Sequence, residues 1–134
     1  MAGSFALDIS KFVNKSHSNV DLVTRKIVFD VMRSVIKKSP VDTGRFKGNW
    51  QYGTGEMPTG TLDIYDESGK GTQVHLMNKV PQEAAGKLHY IVNNLPYSIR
   101  LENGWSSQAP NGMVGLTVSE YQGIVRHAAQ EVNP

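Results

Sequence analysis

Between positions 19 and 38 apolar residues recur every three or four places, as Val20, Val23, Ile27, Val31 and Val35. That spacing predicts a helix. Ser18 and Asp21 stand where a capping box would open it, and Ser39-Pro40 closes it just after Lys37 and Lys38, whose charges suit a helix C-terminus. A second stripe, Leu22, Phe29, Met32 and Ile36, lies nearly opposite the first, and Lys26, Asp30, Arg33 and Lys37 are confined to one arc. A helix apolar on two sides is expected to be sandwiched. One cover would be the protein's own sheet. The other would be the N-terminal segment bearing Phe5, Leu7, Ile9 and Phe12, or a neighbouring subunit.

Further on the period changes. Trp50 and Tyr52 alternate as in a strand, and Leu62 and Ile64 alternate as in another. Gly53, Gly55, Pro58 and Gly60 punctuate the connection between them. A short helix is expected at 71–79, stopped near Pro81, then a strand at 88–92, reading LHYIV. A last helix at 117–131 places Val118, Tyr121, Val125, Ala128 and Val132 on one stripe, with Thr117 or Ser119 as its cap. The order predicts an α+β single domain over 1–134, in which a small, mainly antiparallel sheet packs against a long N-terminal helix and a C-terminal helix. Residues 1–16 would form an N-terminal arm.

Composition narrows the class. The chain has 134 residues, 39% apolar and 19% charged, with no internal repeat and no apolar run near the ~20 residues that span a bilayer. No membrane is expected as a partner. Nor is secretion, since MAGSFALDISKFV lacks a basic start followed by an apolar core. The absence of cysteine rules out disulfides and thiolate metal sites and suits a reducing cytoplasm. The net charge of +2 hides an asymmetry, because residues 1–50 carry nine Lys/Arg against four Asp/Glu and residues 51–134 carry five against eight. The basic half would suit nucleic acid, or an acidic surface on the next copy in a head-to-tail ring.

Candidate chemistry is sparse. Asp42-Thr43-Gly44 is the tripeptide of aspartic proteases, which pair two such loops so that two carboxylates share a proton. That plan needs an apolar strand leading in and a small residue after it, whereas Lys37-Lys38-Ser39-Pro40 leads in here and Arg45 follows. The residues suit a structural turn instead, with Asp42 bonding the backbone ahead and Gly44 supplying a positive φ. His17, His75, His89 and His127 have no second ligand at helical spacing, so no metal is expected. Gly69-Lys70-Gly71-Thr72 lacks the upstream glycine and buried strand of a phosphate loop. No catalytic residue, cofactor or metal site is assigned.

Two turn-rich blocks dominate what is left. The first runs Ser39-Pro40-Val41-Asp42-Thr43-Gly44-Arg45 into Gly48-Asn49-Trp50. In the second, Asn93-Asn94 and Pro96-Tyr97 precede Leu101-Glu102-Asn103-Gly104-Trp105, and Ser107-Gln108-Ala109-Pro110 leads through Gly112-Met113-Val114 to the last helix. In that order, over roughly residues 20 to 130, the chain resembles the tail-completion or neck protein family of long-tailed bacteriophages, also called minor tail or head-tail joining proteins. In the family the corresponding blocks read as a proline-valine-aspartate-threonine-glycine turn and a tyrosine-then-glutamate-x-glycine loop.

The resemblance implies a non-enzymatic structural protein of the virion, assembled in the host cytoplasm. Such a protein would form a ring, commonly a hexamer, around the DNA channel where tail meets head. Its partners would be other copies of itself and other neck and tail proteins, with non-specific contact to exiting DNA. Pro40, Asp42, Thr43, Gly44 and Arg45 are then a structural turn. Tyr97, Glu102, Gly104, Trp105, Pro110 and Gly112 are candidate assembly contacts. Trp105 is either an exposed anchor or a core residue closing one end of the sandwich. Tyr97 and Glu102 are expected to pin their loop to the 40–45 turn, Glu102 by facing Arg45. The alternatives are a tail terminator that caps the tube, a small non-specific nucleic-acid-binding protein, and the protease.

Overall fold

The structure is a computed structural model that describes the backbone from Ala2 to Asn133 and the side chains from Asn19 onward. Helix α1 spans Ala2–Lys38, roughly 55 Å at 1.5 Å per residue. The expected start at Ser18 is therefore wrong. Backbone hydrogen bonding continues through that position, and Asp21 turns its carboxylate away to accept the N–H of Ala85 at 2.9 Å. Residues 2–16, the expected N-terminal arm, are helical and continuous with the rest of α1; Met1 lies outside the described residues.

The core forms where α1 crosses the rest of the chain. Val28, Met32, Val35 and Ile36, at i, i+4, i+7 and i+8, point inward. They meet Phe46 of α2 (Arg45–Gly48), Trp50 and Tyr52 of β1 (Trp50–Thr54), and Leu76 of α3 (Lys70–Met77), together with Val80, Leu95, Ala109 and Met113. Strand β2 (His89–Asn93) pairs antiparallel with β1, from Trp50 opposite Asn93 to Thr54 opposite His89. The fold is α+β, with the sheet reduced to this one pair of strands. Beyond β2 come α4 (Ser98–Glu102), α5 (Val114–Ser119) and α6 (Tyr121–Val132).

Helix α6 supplies the second cover for α1. It runs antiparallel to α1, pairing Glu120 with Lys38 at 3.0 Å near one end and Asn133 with Asn19 at 3.3 Å near the other, with Glu131 on Lys26 at 3.2 Å. These contacts flank Val23, Ile27 and Val31, which are half-buried. The expectation that the N-terminal segment covers this face is thus corrected. A segment continuing the same helix cannot fold back over it, whereas the amphipathic C-terminal helix can.

Two further expectations fail. Leu62 and Ile64 form no strand. Instead the side chain of Asn49, fully buried, holds Leu62 as a ladder partner would, accepting its N–H at 2.7 Å and donating to its carbonyl at 3.0 Å. The last helix is two helices broken at Glu120, and neither Thr117 nor Ser119 caps it. Thr117 lies inside α5 and donates back to the carbonyl of Met113 at 2.9 Å. Among the described residues no helix is long and apolar enough to cross a membrane.

Candidate functional site

The first block is wired into the core. At the end of α1 the Ser39 hydroxyl donates to the carbonyl of Val35 at 2.6 Å and accepts the indole N–H of Trp50 at 2.8 Å. This joins the helix end to β1 through two buried side chains. Pro40 is buried behind it. Gly44 takes φ +86°, and a Cβ there would lie 2.5 Å from the backbone nitrogen of Glu67, so no other residue fits. Its carbonyl accepts from Asp66 at 3.0 Å. The turn is closed by Thr43, whose hydroxyl accepts the N–H of Arg45 at 3.4 Å, and not by Asp42, which is exposed. Asp42 therefore does not take the backbone bond expected of it.

Asp66 was not singled out by the sequence reading, yet it organises the next element. Its carboxylate accepts from the backbone of Gly69 at 3.0 Å and of Thr72 at 2.8 Å, and from the Thr72 hydroxyl at 2.8 Å. Partial burial pushes its pKa up, but these bonds outweigh that and hold it below the usual aspartate value. The glycine-flanked start of α3 thus receives the chain's own carboxylate. An Asp just ahead of a helical run was the available signal.

The second block is held from inside and bare outside. Tyr97 stacks against Phe46, ring centroids 6.2 Å apart, which ties the block to the first turn as expected. Glu102 does not face Arg45. Its carboxylate accepts three successive backbone N–H groups at the start of α5, from Met113, Val114 and Gly115, each at 2.9 Å. Three convergent donors at a positive helix end hold a carboxylate better than one distant guanidinium. Partial burial raises the pKa of Glu102, and the three donors bring it below the ordinary glutamate value. The clamp requires glycine at 112, with φ +79° and a Cβ position 2.3 Å from the Glu102 carbonyl oxygen. Gly104, at φ +86°, likewise packs on the Pro110 carbonyl, its Cβ position 2.4 Å away, and Pro110 itself is exposed.

Side-chain amides also join the two blocks, Asn93 by donating to the carbonyl of Phe46 at 2.9 Å and Gln108 by pairing with Val41. Gln108 accepts the N–H of Val41 at 2.9 Å and donates to its carbonyl at 2.9 Å. Nothing in the sequence marks Gln108 for this role, because a long-range pairing of a side-chain amide with one peptide unit leaves no periodic trace. Among exposed polar residues, the second block presents two large apolar side chains outward. Trp105 is 73% exposed and Ile99 72%, and the Arg100 guanidinium lies 5.2 Å from the Trp105 ring centre. The placement of Trp105 is thereby decided in favour of exposure.

The histidines are scattered. His89 bridges the Tyr52 hydroxyl at 2.6 Å and the Ala84 carbonyl at 2.8 Å, and His127 contacts Glu131 at 2.7 Å. His75 is exposed on α3. The side chain of His17 lies outside the described residues. No family model, curated protein or solved structure matches the chain.

Proposed function

We propose that this chain is a structural, non-enzymatic virion protein of the phage neck. It assembles as a ring, six-fold by the resemblance, that completes the tail and joins it to the head around the DNA channel. The observation that carries the reading is the second loop block. Its backbone is fixed by the Glu102 clamp, the Gln108–Val41 pair and the Tyr97–Phe46 stack, while Trp105 and Ile99 are left bare. A loop already ordered before binding loses little entropy on binding, and an exposed tryptophan on such a loop is the kind of anchor interfaces favour. Location in the virion and the non-specific contact with exiting DNA belong to this proposal.

Deletion of the reading frame tests it. The expected result is filled heads and finished tails that accumulate separately. Joined particles at the parental yield, or purified protein that stays monomeric even with isolated tails, would refute it. Overlong tails would instead assign the chain to termination of the tube.

A further inference from the structure

Arg45 carries a charge that the fold does not answer. Its Nε is buried without a hydrogen-bond acceptor, and among the described residues no carboxylate forms an ion pair with its guanidinium. The side chain lines a cleft of ≈ 330 Å³ between the two loop blocks, walled by Val41, Phe46, Tyr97, Leu101 and Gln108. Asp42 borders the same cleft without pairing with it. The buried Nε costs free energy where it stands, and the Nη groups, which have no carboxylate partner among the described residues, are the ones an incoming acceptor would meet. One planar fork in a cleft of mixed lining, with Phe46, Tyr97 and Leu101 beside Thr43, Ser106 and Gln108, fits a carboxylate with apolar neighbours on its segment. It fits a phosphate backbone poorly, since that is held by several cations together, and here Asp42 offsets the single one present.

A segment of that chemistry exists on the chain itself. Residues 62–65 belong to no helix or strand, and they place Asp63, exposed and in no ion pair among the described residues, between Leu62 and the exposed Ile64 and Tyr65. Within one chain the two surfaces do not meet. Gly44 and Gly48 hold the 64–67 backbone against their own side of α2, the Cβ position of Gly48 lying 2.6 Å from the Ile64 carbonyl oxygen.

We infer that the Arg45 cleft receives residues 62–65 of a second copy, with Asp63 of one subunit pairing with Arg45 of the next. Two different patches on each subunit make a head-to-tail contact, which closes into a ring when the rotation allows. The inference rests on the ring reading and names the contact that would build it.

Sedimentation of the full chain across a concentration series tests it, with Arg45→Glu, Asp63→Arg, the double reversal, and Arg45→Ala as the milder variant should Arg45→Glu melt early. The wild type is expected to assemble, each single reversal to weaken association at least roughly tenfold, and the double reversal to restore it. Arg45→Ala should weaken it less than Arg45→Glu. Single variants that assemble like the wild type, or a double reversal no better than the singles, overturn the inference and leave the ring intact. A wild type monomeric at every concentration overturns the inference, and one that stays monomeric with isolated tails as well overturns the ring reading too. Binding of a duplex DNA fragment that is lost in Arg45→Glu while assembly is unchanged assigns the cleft to phosphate and also overturns the inference.

Discussion

Trp50 and Trp105 each belong to a turn-rich block of similar composition, yet Trp50 is 3% exposed and bonded to Ser39 while Trp105 is 73% exposed and touched by Arg100. The first block lies where α1, α2 and β1 converge, so its aromatics complete the core. The second lies beyond β2 on short helices, anchored in the core only by Leu95, Ala109 and Met113, and hydrogen bonds fix the loops between those anchors. Similar residues thus form internal wiring in one block and an ordered outer surface in the other.

Substitutions should separate the two blocks by the size of their effect. Trp50→Ala removes a buried ring and the indole N–H that the Ser39 hydroxyl accepts, so a loss of about 3–5 kcal/mol in denaturant unfolding is expected. A loss below about 1 kcal/mol would show that the first block is not core. Gly112→Ala forces a side chain into the left-handed region against the Glu102 carbonyl, with an expected cost on the order of 2–3 kcal/mol. Retention of the wild-type melting temperature would break the clamp account.

Glu102→Gln keeps the shape but loses the charge on the three amides, and should cost about 1–3 kcal/mol at neutral pH. Its pH dependence is the sharper test. Glu102 and Asp66 both have folded pKa values below their ordinary ones. Their contribution is therefore present above the unfolded carboxylate range and is lost as pH falls through the lowered folded values. Glu102→Gln should flatten that acid loss, leaving the part due to Asp66. An unchanged acid limb would show that the clamp carries no linkage. Trp105→Ala is expected to change stability by about 0.5 kcal/mol or less while abolishing joining of tails to heads. A large drop in melting temperature would return Trp105 to the structural side of the comparison.

Much of the scaffold was legible in the sequence because its signals are local. The body of α1 up to Ser39-Pro40, the β1 and β2 strands, the α3 helix and the positive φ at Gly44 all follow from periodicity or turn chemistry within a few residues. What escaped was settled at a distance. Ser18 and Asp21 look like a cap until Ala85 arrives to claim the aspartate. Leu62 and Ile64 alternate as a strand does, but alternation makes a strand only where a ladder partner exists, and a single asparagine side chain took that place. For Glu102 the opposite charge of Arg45 was the visible partner. The three amides that hold it instead carry no charge and leave no mark in the sequence. At the site, exposure of Trp105 was one of two open placements, and Gln108 as the link between blocks had no visible signal.

The central claim is one of place, and the most direct measurement is the position of a labelled copy of this chain on the intact particle, imaged by electron microscopy. The account predicts label confined to the junction of head and tail. Label along the length of the tail, at its far tip, or absent from the particle would contradict it.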